Sequence, residues 1–339
     1  MFGYQMSEYD KRVYEEELRE FLPSRLTDCH THIWKREFGG ETPGKGCVSW
    51  TRMVAKDCTA EDLLQTYRDM LPGKTVTPVL MGQPEADLSK TNCYTREAAR
   101  KYRLPALYCT DYAMPAEFLE KEVTEGGFAG LKPYLNRSPS YIPGNEVRIF
   151  DFLTPEHLRL ADRRGWIVML HIPRPMRLRD PLNLAQMMEI EESYPNVKLI
   201  IAHIGRAYAE EDLGTAFELL RKTKNMLFDF TANTLDRAMI ACLEAVGPKR
   251  FLFGSDLPIV KMRMYRTTEN GFYYNHVPRG LYGDVSGDPH MVETDEKNIT
   301  NFLYEELLAF KRAAKALRLT AGEVEDILCR NAEALFGIS

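Results

Sequence analysis

The sequence predicts an α/β chain folded as a (β/α)8 TIM barrel, with an N-terminal helix, long loops after strands one and eight, and extra C-terminal helices. Three observations carry that expectation. Eight short runs rich in apolar and β-branched residues recur along the chain. Most are followed by a stretch with helical spacing. The runs are nearly continuous in hydrophobicity rather than alternating, as parallel strands covered on both faces should be. An open doubly wound sheet is the alternative at the level of the fold.

In chain order, a helix is expected over about 8–22, ahead of the first strand at 25–32 (RLTDCHTH). Strands follow at 74–82, 104–109, 128–134, 166–172, 197–204, 225–231 and 250–256. Thr59-Ala60-Glu61-Asp62 resembles a capping box, and Thr154-Pro155-Glu156 sets a cap before a first-turn proline. Gly165 suits the end of the helix that Thr154 begins. Stretches 33–58, 135–153 and 257–294 exceed minimal connections, and in a barrel the first and last overhang the mouth. Their aromatics (Trp34, Phe38, Trp50, Tyr265, Phe272, Tyr273, Tyr274, Tyr282) fit a substrate wall, and a solvated excursion stays open beside it. Helices over about 295–317 and 320–336 complete a single barrel domain spanning 1–339, with 1–24 as its N-terminal extension.

The chain has 339 residues, 44% hydrophobic and 27% charged, with a net charge of −5. Such a balance offers no electrostatic footprint for nucleic acid or an anionic membrane. No apolar run reaches the roughly 18 residues of a membrane span, and the acidic start MFGYQMSEYDKRVYEEELREF is unlike a signal peptide. Seven scattered cysteines with no C-x-x-C pair argue against a disulfide framework or a thiolate zinc site, so the cytoplasm is the expected compartment. The run Gly39–Gly46 nearly spells a phosphate loop, but Gly46 stands where Ser or Thr is required.

Four of the seven histidines end predicted strands. His30 and His32, two apart in an extended strand, should face one interior together with Asp28, leaving Cys29 and Thr31 outward. His171 closes WIVML-His, His203 closes LIIA-His, and Asp256 closes FLFGS-Asp. An ionisable residue at the end of a buried strand is costly unless paired. Parallel barrel strands all end at one face, so these five side chains should converge there as ligands for zinc or a neighbouring metal. Asp229 and Tyr134 are further candidates for the cavity, while His157 should face solvent and His276 and His290 lie in the last long loop.

These residues resemble the amidohydrolase superfamily, and within it the amidohydrolase-related branch of barrel hydrolases and decarboxylases. The likeness rests on Asp28-x-His30-x-His32, His171, His203 and Asp256, with Gly130-Leu131-Lys132, Ala202-His203-Ile204-Gly205, Gly254-Ser255-Asp256-Leu257-Pro258 and the closing Ile327-Leu328-Cys329-Arg330-Asn331-Ala332 around them. It covers about residues 25 to 338. The resemblance implies one catalytic divalent metal, zinc or alternatively manganese, held by His30, His32 and His171, with Asp256 as fourth ligand or close partner. Asp256 and His203 would be the catalytic groups. Lys132 matches the position of a metal-bridging carboxylated lysine in some members, and its other reading is a cation for the substrate. Arg174 and Arg206, each three residues past a site histidine, would clamp a substrate carboxylate, or else pair with a helix residue. The implied activity is metal-dependent hydrolysis of a small, carboxylate-bearing amide, ester or lactone; non-oxidative decarboxylation by the same site and a non-catalytic barrel are the alternatives. A homo-oligomer is the expected assembly.

Overall fold

The computed structural model describes residues 5–39 and 49–338. Strands β1 (Arg25–His32), β2 (Thr75–Met81), β3 (Leu107–Cys109), β4 (Gly130–Lys132), β5 (Ile167–Leu170), β6 (Lys198–Ile201), β7 (Leu227–Asp229) and β8 (Phe251–Leu252) are all parallel to their neighbours. β1 pairs with β2, and β3 to β8 form one continuous sheet. Two seams join these pieces. Leu80 N donates to Pro105 O at 2.9 Å, and Cys29 N, His32 N and Asp256 N bond across between β1 and the chain leaving β8, at 3.0, 2.8 and 2.8 Å. The eight strands therefore run in a closed circuit, the barrel that the sequence predicts.

Helices 60–70, 88–102, 116–126, 155–164, 181–193 and 236–246 pack outside. Thr59 caps the first with both halves of its capping box formed, and Gly165 ends the helix capped by Thr154 in the left-handed conformation. A small inner cluster that includes Cys29, Val79, Met81, Leu107, Ile167, Met169, Ile200 and Leu252 fills the barrel. The larger cluster lies between barrel and helices.

Several expectations need correction. Asp28 pairs with Pro78 and Thr31 with Leu80, so Cys29 and His30 together oppose the single residue Val79. This bulge turns Cys29 and His30 both inward and leaves Asp28 facing the helices, where Tyr67 donates to it at 2.6 Å. Strict alternation had predicted the reverse for Cys29 and Asp28. Segment 257–294 is not a loop: β9 (Tyr265–Glu269), β10 (Phe272–Pro278) and β11 (Met291–Thr294) form a separate small sheet. The turn between β9 and β10 is Asn270-Gly271, both at positive φ, as a two-residue hairpin requires. The first C-terminal helix begins only at Phe302, where Asn301 caps it. His157 is buried, not solvent-facing, because its ring reaches Met114 O at 2.8 Å. Most of the glycine-rich run 39–46 lies outside the described residues, as does Cys47; the six described cysteines are all free. No described helix is long and apolar enough to cross a membrane.

Candidate metal centre and active site

The site is built where the strands end. β1 delivers His30 and His32, β4 Lys132, and β7 Asp229; His171 follows directly on β5, His203 stands two residues past β6, and Asp256 four residues past β8. The backbone there is strained. His203, Ile204, Gly205 and Arg206 all have positive φ, making a left-handed turn, and Asp256 has φ +66°. Non-glycine residues in that region cost on the order of 1–2 kcal/mol each, which the surrounding packing must hold in place. The turn is possible because Gly205 lies against Leu178 and Ile172, where a Cβ would sit 2.6 Å from the Leu178 Cδ1.

Hydrogen bonds fix the imidazoles. His30 Nδ1 lies 3.0 Å from Asp229 Oδ2, His32 Nδ1 2.9 Å from Gly82 O, and His203 Nδ1 2.9 Å from Thr231 O. Carbonyls and carboxylates only accept, so each Nδ1 carries the proton and each Nε2 keeps its lone pair. Burial drives the His30 and His171 pKa values well below the ordinary imidazole range, helped by the charges of Lys132 and Arg206 respectively. Both are therefore neutral, the form that binds metal.

Ligand atoms of His30, His32 and Asp256 all lie within 4.8 Å of one another. Asp256 Oδ1 stands 3.4 Å from His32 Nε2 and 3.9 Å from His30 Nε2. Two imidazole nitrogens and a carboxylate oxygen so placed are the donor types that fit a divalent ion, and at His30 the Lys132 ammonium takes that lone pair in this structure. Lys132, fully buried, donates to His30 Nε2 at 2.9 Å, and burial lowers its pKa. His171 stands one ring further out, 5.2 Å from His203 and 5.0 Å from Tyr134 between centroids, with its Nδ1 buried and unpartnered. Asp229 is the support that residue spacing singles out least: it bonds His30 and also accepts His203 N at 2.7 Å and Thr231 N at 3.2 Å.

Two cavities of about 70 and about 90 Å³ open over this cluster and share Thr51, Tyr134 and Asp256. The first is also lined by His171, His203, Arg206, Tyr208, Arg266 and Tyr273. Arg206 thus reaches the cavity. Arg174 does not line it; its Nε turns to Asp180, 3.6 Å away at the cap of helix 181–193, which is the ion-pair alternative. His276 stacks on Tyr265 and His290 on Tyr273, and neither lines the two cavities. Arg266, absent from the sequence reading, and Tyr273, one of its wall aromatics, come together over the mouth through the β9–β10 hairpin. Their signal in the sequence was Asn270-Gly271 between alternating strands.

The amidohydrolase family model matches residues 27–338. The chain belongs to the amidohydrolase family, whose members are metal-dependent hydrolases or decarboxylases, and it is an enzyme of that class. Solved structures agree on the fold. An amidohydrolase from Burkholderia multivorans with bound zinc shares 15% identity at TM-score 0.60, over 93% of this chain and 99% of that one. A Pseudomonas putida protein provisionally assigned as a 2-pyrone-4,6-dicarboxylic acid hydrolase shares 17% at 0.57, over 93% and 98%. A dihydroxybenzoic acid decarboxylase from Polaromonas sp. JS666, with bound manganese and 2-nitroresorcinol, shares 14% at 0.56, over 93% and 98%. No curated protein matches the sequence.

Proposed function

We propose that the chain is a metal-dependent hydrolase of a small, carboxylate-bearing amide, ester or lactone, with zinc as its metal and manganese as the alternative. The observation that carries this reading is Asp256, whose carboxylate touches the imidazole pair and lines both cavities. A fixed, ionised acceptor on the substrate side is what hydrolysis needs. His30, His32 and Asp256 would hold the ion, with His171 a further ligand from the end of β5. The ion supplies Lewis acidity and a nucleophile at neutral pH.

The chain's own groups do the rest. Asp229 holds the His30 ring so that Nε2 faces the cluster. Asp256 takes a proton and returns it to the leaving group. His203 keeps Nε2 as an acceptor because Nδ1 is committed to Thr231 O, so we assign it to proton transfer rather than to donation towards an oxyanion. Arg206 binds the substrate carboxylate, and the buried Lys132 adds positive charge behind His30.

A second reading, non-oxidative decarboxylation, is favoured by the aromatic walls of the same cavity (Trp50, Tyr134, Tyr208, Tyr273), which suit a planar ring. One assay separates the two: a panel of lactones, esters, amides and aromatic acids turned over in oxygen-18 water. Label in the product supports hydrolysis. Release of carbon dioxide without label overturns it in favour of the lyase.

A further inference from the structure

We infer that the substrate carries two anionic groups, and that Arg266 on the β9–β10 hairpin is the residue that binds the second. The inference rests on the carboxylate-binding reading above and narrows it to dicarboxylates. Arg206 and Arg266 line the same lobe of the cavity, together with His171, His203 and Asp256. Among the described residues neither guanidinium forms an ion pair with a carboxylate. Arg206 Nη1 makes only long contacts of 3.4–3.5 Å to the carbonyls of Ile172, Pro173 and Arg174. Arg266 spends Nε on Asn275 Oδ1 at 2.9 Å and Nη1 on Ala232 O at 3.1 Å.

The Arg266 guanidinium is also held in place from the sides. Its Cζ lies 4.5 Å from the Tyr273 ring centroid, 4.7 Å from Phe302 and 5.1 Å from Tyr208. Three rings fix its plane without neutralising it. Among the described residues Asp256 is the one carboxylate lining this lobe, and it belongs to the metal cluster; Glu85 lines the other lobe. Two permanent charges sharing one small cavity are self-repulsive and poorly hydrated unless the ligand brings an anion to each. A planar guanidinium takes a carboxylate in a two-pronged pair, so a diacid satisfies both at once.

The test is calorimetric titration of the holoenzyme with glutarate and isophthalate against their monomethyl esters. Each diacid should bind about tenfold to a hundredfold tighter than its monoester, the range for one hydrogen-bonded charge pair. Arg266→Gln and Arg206→Gln should each collapse that ratio towards one. A role for Arg266 in merely pinning the hairpin would weaken diacid and monoester alike and leave the ratio intact. Equal binding of diacid and monoester by the wild type, or a ratio that survives Arg266→Gln in a variant with an unchanged melting curve, overturns the inference. The outcome is separable from that of the hydrolase reading: diacid selectivity with no label uptake sinks only the latter, and labelled hydrolysis confined to monoacids sinks only the former.

Discussion

Replacing Asp229 probes the site through a residue that touches neither cavity. Its carboxylate is completely buried and accepts three hydrogen bonds, from His30 Nδ1, His203 N and Thr231 N. Asp229→Ala strands two backbone N–H groups and one imidazole donor. A single hydrogen bond to a charged group is worth about 1.5–3 kcal/mol, and effects within one network are not additive. A loss of about 3–5 kcal/mol on urea unfolding is therefore expected, as for removing one partner of a buried pair. Asp229→Asn keeps the shape and one acceptor oxygen but loses the charge that holds the His30 proton on Nδ1. Its unfolding loss should be smaller, with metal affinity down about 10–100-fold, the usual cost of removing a carboxylate behind a ligating histidine. Metal retained after dialysis against a graded chelator, measured by plasma mass spectrometry, reads this directly. Undiminished affinity in Asp229→Asn would refute the claim that Asp229 orients a ligand.

Other perturbations test separate parts of the account. His171→Ala should lower metal content and turnover together, whereas His203→Ala should abolish turnover with metal largely kept; equal metal loss in both contradicts that division. Gly205→Ala places a methyl 2.6 Å from Leu178 Cδ1 at φ +62°, so it should cost about 1–3 kcal/mol of overpacking in urea unfolding, beyond the left-handed penalty of about 1–2 kcal/mol. Glu306 is fully buried, with Oε2 accepting Ala232 N and Oε1 unpartnered, and burial raises its pKa well above the usual carboxylate range. A raised folded-state pKa gives stability that is present below the unfolded-state pKa and lost as pH rises through the folded one. Glu306→Gln should therefore gain on the wild type as pH rises, and parallel stability–pH curves would count against it.

Much of this was legible in the sequence because buried parallel strands have a plain signature. The run at 25–32 matches β1 (Arg25–His32), and the five strand-end residues His30, His32, His171, His203 and Asp256 do gather at one mouth. What stayed hidden depends on contacts between distant segments. β8 is only Phe251–Leu252, and Gly254 beyond it lies close against β1: a Cβ there would stand 2.7 Å from that of His30. The bulge opposite Val79 could not be read from period-two alternation, so Asp28 and Cys29 were assigned to the wrong faces. Arg174 and Arg206 stand in equivalent positions after their histidines, yet Asp180 at a helix cap draws one away and the left-handed turn aims the other into the cavity.

Anomalous diffraction from crystals of the metal-loaded enzyme, collected on either side of the zinc or manganese edge, bears most directly on the shared cation. A single peak roughly 2.0–2.2 Å from His30 Nε2, His32 Nε2 and an Asp256 oxygen is the expected result. An active, metal-replete crystal whose only peak lies away from those three atoms would contradict the account.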